Sequence, residues 1–253
     1  MTLTDAELER YARHIVLREV GGAGQAALRT ARVAVVGAGG IGCPALQYLA
    51  AAGVGTLRIV DDDHVSLANL QRQVLFTDAD IGAGKAEAAA ARLRALNPHV
   101  AVEPVATRVT SANVEGMLGG VDLVLDGCDN FATRLAISDW SVRARVPLVS
   151  AALGQFQGQV GLFRGWQADA PCYRCFVGDA FDAEDCDTCA EDGVVGAMAG
   201  WVASLAALEA IRAIVGFGAA QGGRLHILDG LAPAMRSVRI VKDPACRGCG
   251  AVG

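Results

Sequence analysis

Positive charge is in short supply in this chain: 22 Lys and Arg stand against 27 Asp and Glu, giving a formal charge of −5 and a pI near 5.4. No basic stripe runs through the sequence, which excludes nucleic-acid binding of the kind that tracks a phosphate backbone. Any site for a polyanion must be local. Long apolar runs are missing as well. The longest, 194–208, holds 15 residues before Glu209 interrupts it, short of the roughly 20 needed to cross a bilayer. Its glycines and alanines suit a helix buried against close neighbours, and no membrane partner is expected. The opening stretch MTLTDAELERYARHIVL places Asp5, Glu7 and Glu9 ahead of its apolar residues, the reverse of a secretory signal, so a cytoplasmic protein is expected. Internal repeats and low-complexity linkers are absent. So is any Ser/His/Asp array, since the four histidines, at 14, 64, 99 and 226, stand singly. With 53% hydrophobic and 19% charged residues among 253, disorder is excluded and one continuous α/β domain, 1–253, is expected to bury a large core.

The stretch VAVVGAGGIG, residues 33–42, is a buried strand breaking into a glycine turn. Thr4 and Glu7 match a capping box ahead of it, predicting a helix to about Arg18. After the turn, a helix to about Ala52 and a strand over 57–61 complete a right-handed β-α-β unit. Further strands are expected at 100–105, 121–126 and 147–153. Helices are expected over GKAEAAAARLRALNP and over 131–145. From Gly158 onward the pattern changes to short β segments, GQVGLF, GRLHILD and MRSVRIV, which read as antiparallel additions to the sheet. The expected fold is a Rossmann-like α/β nucleotide-binding domain with a mixed sheet extended by C-terminal antiparallel strands.

Glycines let backbone N–H groups approach phosphate, and the positive end of the following helix favours the charge. Asp61 lies about twenty residues on, where a carboxylate can bind ribose hydroxyls. These features alone fit NAD, FAD and ATP equally, so an NAD(P)-dependent oxidoreductase is one reading. The next stretch, DDDHVSLANLQRQVLF, turns the argument. It sets three carboxylates at a strand end, then Asn69, Gln71, Arg72 and Gln73. A flat nicotinamide pocket has no use for that polar density, whereas a triphosphate does. Arg72 offers a planar fork for phosphate oxygens, and Lys85 at a helix start is favourable only with an anion beside it. In LVLDGCDNFATR, Asp129 and Asn130 sit at a helix N-terminus, where either caps the helix or Asp129 holds Mg²⁺; spacing does not decide between these.

Taken in order, RYARHIVL, GAGGIG, DDDHVSLANLQRQ, GKAEAA, LVLDGCDN, CYRC and CRGC resemble the MoeB/ThiF/HesA family of bacterial adenylyltransferases, relatives of the ubiquitin-activating enzymes. The resemblance covers nearly the whole chain. It implies ATP-dependent adenylation of the C-terminal Gly-Gly of a small ubiquitin-like sulfur carrier, with Mg²⁺, and a homodimer. It implies that Gly40 and its neighbours Gly37, Gly39 and Gly42 contact the nucleotide. Asp61, with Asp63 in the same carboxylate cluster, would serve the ribose, and Asn69, Arg72, Gln73 and Lys85 the ribose and phosphates. Asp129 matches a metal-linked aspartate with Asn130 beside it, and Arg13 an arginine that reaches the phosphates from the second copy of the homodimer. Residues 1–150 are then mainly the nucleotide-binding half and 151–253 mainly the carrier and zinc half. A terminal carboxylate is already ionised at neutral pH, so its attack on phosphorus needs positioning and charge neutralisation rather than a general base. A zinc-stapled scaffold that has lost turnover is the remaining alternative.

Eight cysteines in a cytoplasmic chain are not expected to form disulfides. Cys43 and Cys128 read as small buried hydrophobes. The other six form three C-x-x-C pairs, where zinc needs two. Spacing alone makes Cys172, Cys175, Cys186 and Cys189 the compact set. The family pattern instead joins Cys172 and Cys175 to Cys246 and Cys249, giving a four-cysteine Zn²⁺ site that pins the tail and frees Cys189. Cys189 then matches a cysteine that, in thiazole-pathway members, joins covalently to the carrier. Cys186 is additional to that pattern.

Overall fold

The computed structural model describes residues 3–178, 193–219 and 222–250. The capping box forms as its residues dictate: the Thr4 hydroxyl accepts from the Glu7 amide, and the Glu7 carboxylate accepts from the Thr4 amide at 2.8 Å. Helix α1 (Asp5–Arg10) nevertheless stops at Tyr11 rather than running on to Arg18, and α2 (Ala12–Ile15) starts afresh. Tyr11 is drawn into the core, where its hydroxyl accepts from Asn97 Nδ2 at 2.8 Å. Its ring lies so close to Gly53 that a Cβ there would stand 2.5 Å from it. A third helix, α3 (Gly21–Thr30), forms where the sequence reading placed none. Three glycines weaken its intrinsic propensity, and tertiary contact overrides that. Gly24 lets α3 approach the last helix of the fold closely: a Cβ would be 2.7 Å from Val215.

Strand β1 (Arg32–Val36), helix α4 (Gly42–Ala51) and strand β2 (Thr56–Val60) make the expected β-α-β unit. Then come α5 (Lys85–Leu96), β3 (Ala101–Val105), α6 (Val114–Leu118), β4 (Leu123–Asp126) and α7 (Phe131–Ala144). After these follow β5 (Leu148–Gly154), β6 (Gln157–Phe163), α8 (Tyr173–Val177), α9 (Gly196–Val215), β7 (Arg224–Asp229) and β8 (Ala234–Arg239). Together the strands form one eight-stranded sheet in the order β3-β2-β1-β4-β5-β6-β7-β8. The first five are parallel and the last three antiparallel. The antiparallel extension foreseen after Gly158 is therefore present.

The two faces of the sheet carry separate cores. Residues of α4, α5 and α9 cover one, around Leu46, Leu49, Leu93 and Val202. Trp140 and Ile137 of α7, with Phe163, fill the other. Helix α9 is 20 residues long and apolar enough to span a membrane by length and composition. Here it is a core helix. Ala199, Ala203, Ala206 and Ala210 bring it against α4, β5 and β6, and its one buried carboxylate, Glu209, pairs with Arg212. The chain order reverses between β1 and β4, and in open α/β sheets such a switch point leaves a crevice outside the strand ends.

Candidate active site

That crevice is a cavity of about 670 Å³ at the carboxyl ends of β1, β2, β4 and β5, within the range of small-molecule sites. Its floor is the glycine turn. Gly37 adopts φ +89°, and a Cβ there would meet the Gly127 carbonyl and Cys128 amide at 3.1 Å. Gly42 sits over the Gly37 carbonyl, where a Cβ would be 1.8 Å from the oxygen. Any side chain at either position would push α4 off the turn. Gly37, Gly39 and Gly40 line the cavity; Gly42 does not, and acts by close packing behind it.

Asp61 holds this turn to the end of β2. One carboxylate oxygen accepts from the Ala38 amide at 2.6 Å and the other from the Asp63 amide at 2.8 Å. Burial raises its pKa, against the pull of those amides and the Lys85 ammonium. Each oxygen keeps a lone pair for a further donor such as a hydroxyl.

Cations converge from two segments. Lys85, one of two lysines in the chain, opens α5 and is 6% exposed. Its ammonium lies 2.9 Å from Asp63 and its amide donates to the Asp63 carbonyl. Asp63 therefore aims Lys85. Arg72 lies over the turn, its stem 3.4 Å from the Cβ position of Gly40, while Nη1 donates to the Ala68 carbonyl at 3.1 Å. The loop carrying it is clamped by α9, since a Cβ at Gly196 would be 2.2 Å from the Gln71 carbonyl oxygen. Asn69 closes a 3-10 turn with Ser66 and half-faces the cavity. Gln73 is buried beside Gly39, its Oε1 without a partner among the described residues.

The far wall follows β4. Asn130 caps α7, accepting from the Thr133 amide at 2.9 Å, which gives it the capping role that spacing left open. Asp129 is exposed to the cavity. Two residues here escaped the sequence reading. Arg134 is buried, its guanidinium 3.2 Å from Asp126 and bonded to Ser150 and to the Cys128 and Ala151 carbonyls. Burial opposes its charge, but the Asp126 carboxylate overrides that and its pKa lies above the ordinary arginine value. Its helix also carries Thr133, Ser138, Asp139, Ser141 and Arg143, so no apolar pattern set Arg134 apart. Arg108, on the loop after β3, reaches Asp62 at 3.2 Å. A lone loop arginine carries no periodicity by which to find it.

Arg13 is not among the residues brought together. It is exposed on α2, which sits beside the end of α4 that points away from the cavity: His14 bonds Gln25, and Gln25 bonds the Ala52 carbonyl. Cys43 is buried, its thiol pushed up to about 12 by burial. Cys128 lines the cavity, and burial with the Asp126 charge raises it too. Cys186 and Cys189 lie outside the described residues.

A second centre joins the chain's tail to its body. The sulfurs of Cys172, Cys175, Cys246 and Cys249 all lie within 4.8 Å of one another, with separations of 3.4, 3.6 and 3.9 Å between neighbours. Thiolates bound at about 2.3 Å to a tetrahedral ion stand about 3.8 Å apart. Burial pushes the Cys249 thiol up to about 11 and Cys172 higher, so a bound cation is what would hold all four as thiolates. The set that spacing alone made compact, with Cys186 and Cys189, is not this one.

Comparison with known proteins supplies the family. Residues 11–248 match the model of the ThiF family. The chain belongs to the ThiF family. It is 44% identical to the SAMP-activating enzyme E1 of Haloferax volcanii over 253 residues, covering all of this chain and 93% of that one. It is 42% identical to the molybdopterin-synthase adenylyltransferase of Escherichia coli K12, covering 98% of each. The sulfur carrier protein adenylyltransferase of Thermus thermophilus is 44% identical, with 99% of this chain and 93% of that one covered. Among solved structures, Escherichia coli MccB with MccA-N7isoASN superposes with a TM-score of 0.84 at 22% identity, covering 96% of this chain and 74% of MccB. That likeness extends to the fold alone. ThiF membership implies use of ATP and removes the support for hydride transfer.

Proposed function

We propose that the protein uses Mg·ATP to adenylate the C-terminal glycine carboxylate of a small ubiquitin-like sulfur carrier, releasing pyrophosphate. The activated carrier would then receive sulfur for a cofactor, molybdopterin or thiamine, or for a thio-metabolite. One observation carries the reading: the glycine turn, Arg72, Lys85 and Asp129 face a single cavity. Three linked phosphoryl groups need that combination of amides, cations and a metal-directed carboxylate.

In this reading the phosphates lie over Gly39 and Gly40, at the positive end of α4. Asp61 accepts from the ribose hydroxyls. Arg72 and Lys85 neutralise charge as it shifts toward pyrophosphate, with Asp63 aiming Lys85 and Asn69 and Gln73 supplying further polar contacts. Asp129 would hold Mg²⁺, whose role when bound is to offset charge on the phosphates. The carrier's extended tail enters along Gly154, Gly193 and Val194, which line the same cavity; there Gln155 and Val194 already pair as a β-bridge. The ionised tail carboxylate attacks the α-phosphorus and pyrophosphate leaves. Arg13 of the partner subunit completes the cation set in a homodimer, which accounts for its distance from its own cavity. Residues 1–150 serve mainly the nucleotide and 151–253 mainly the carrier and the tail. The four thiols suit Zn²⁺, which favours tetrahedral sulfur. A cytoplasmic setting would keep them reduced, and Cys189 as a covalent acceptor remains part of the proposal.

The decisive experiment combines protein, Mg·ATP, labelled pyrophosphate and short carriers ending in Gly-Gly. Carrier-dependent exchange of label into ATP is the expected result. Tight carrier binding with no exchange for any carrier would point to an inert scaffold instead. Metal analysis should find one zinc per chain, lost in Cys246→Ser.

A further inference from the structure

Arg108 and Asp62 form an ion pair at the mouth of the cavity that nothing above employs. Its position follows from strand order. The glycine turn, over the end of β1, marks the phosphate end, and Asp61, over the end of β2, marks the ribose. The next strand outward is β3, so the base of a bound nucleotide lies beyond Asp61 toward the β3 loop. Of that loop, residues 107–109 all line the cavity, with Val36 and Val60 as apolar neighbours. Its backbone is fixed. Asn113 accepts from the Thr110 amide at 2.7 Å and donates to the Arg108 carbonyl at 2.9 Å, and the Thr133 hydroxyl donates to the Val109 carbonyl at 3.0 Å. The Arg108 side chain projects from this fixed backbone, and Asp62 directs it by bonds of 3.2 and 3.4 Å to Nε. Gripped at Nε, the guanidinium keeps its flat face and its outer nitrogens for something else.

We propose that Arg108, aimed by Asp62, stacks on the purine base of the nucleotide and is a nucleotide-binding residue for the adenylation. This rests on the reading that the cavity binds ATP. A guanidinium over an aromatic face is attracted by cation–π and planar stacking, which a lysine ammonium reproduces poorly. Asp62 keeps that plane from turning inward to the phosphates, where Arg72 and Lys85 already stand. The base is remote from phosphorus, so Arg108 binds ground state and transition state alike.

Calorimetry on the full chain tests this with ATP, adenosine and inorganic tripolyphosphate. Arg108→Ala should weaken ATP and adenosine about tenfold and leave tripolyphosphate within about twofold, in keeping with one desolvated stacking contact. Arg108→Lys should recover little of the loss, and Asp62→Asn should weaken ATP about threefold. In exchange kinetics Arg108→Ala should raise KM for ATP with kcat unchanged. Equal weakening of tripolyphosphate, or full rescue by lysine, would mean a phosphate contact and overturn the proposal. Unchanged ATP affinity in a folded Arg108→Ala protein would overturn it as well. Wild-type protein that binds no ATP would instead sink the functional reading beneath it.

Discussion

Two arginine–aspartate pairs of equal length and opposite character meet the cavity through their arginines, Arg134 and Arg108. Arg134 and Asp126 stand 3.2 Å apart with side chains 7% and 1% exposed; Arg108 and Asp62 also stand 3.2 Å apart, with 57% and 40% exposed. Distance is the same, so surroundings decide what each pair does. In the buried pair both terminal nitrogens of the guanidinium also find carbonyl or hydroxyl partners, and the pair ties the end of β4 to α7 and β5. Losing one partner there strands a charge out of water. At the exposed pair water replaces either partner, so little stability rests on it and the face of the guanidinium stays open to a ligand.

The largest effect should come from breaking the buried pair. Arg134→Ala is expected to lower stability by about 3–5 kcal/mol, the usual penalty for an orphaned buried charge, read as a fall in the urea midpoint with unchanged slope. Arg108→Ala, at the same distance from its own aspartate, should change stability by less than about 1 kcal/mol. If the two variants lost equal stability, burial would not be what separates the pairs. Arg72→Ala sharpens the contrast from the other side, because in the proposed reading its guanidinium serves a ligand, and its hydrogen bond to the Ala68 carbonyl is exposed. Carrier-dependent exchange should fall about 10²–10³-fold, the scale of removing one preorganised charge-stabilising donor, while the urea midpoint stays in place.

What the sequence made legible follows the same division. The glycine turn, Asp61, Arg72, Gln73 and Lys85 were readable because backbone geometry and chemistry are tied to short spacing at successive strand ends. Gly37, Gly39 and Gly40 of the turn and the four side chains line the cavity. The antiparallel extension after Gly158 was expected from β segments that read as shorter, although β6 to β8, at 7, 6 and 6 residues, are longer than β1 to β4, at 5, 5, 5 and 4. Arg134 was not, because its partners lie on β4, β5 and the intervening loop and meet only once the sheet forms. The same holds for α3, for which the sequence reading placed no element: its close contact, Val215 against Gly24, comes from the far end of the chain. Choosing the Cys246 pair over the Cys186 pair required the resemblance, since ring size alone favours the nearer cysteines. The thiol cluster joins residues about seventy positions apart.

The smallest expected effect is a pair of opposite pH slopes at Asp61. Its folded-state pKa is raised by burial above the ordinary aspartate value of 3.8, so the folded protein takes up this proton before the unfolded chain does. The contribution to stability is thus full below 3.8 and is lost as pH rises through the raised value. Nucleotide affinity should run the other way, because a protonated Asp61 forfeits acceptor capacity for the ribose hydroxyls and ionisation restores it. Between those two values, acidification should therefore weaken ATP binding while the Asp61 share of stability grows. Asp61→Asn, which cannot titrate, subtracts the nucleotide's own protonation and all other carboxylates. The difference between wild type and Asp61→Asn in affinity, measured by calorimetry along a pH series, should rise with pH, and the difference in urea midpoint should fall. Slopes of the same sign would mean that the carboxylate is engaged with Ala38 and Asp63 alone and does not reach the ligand.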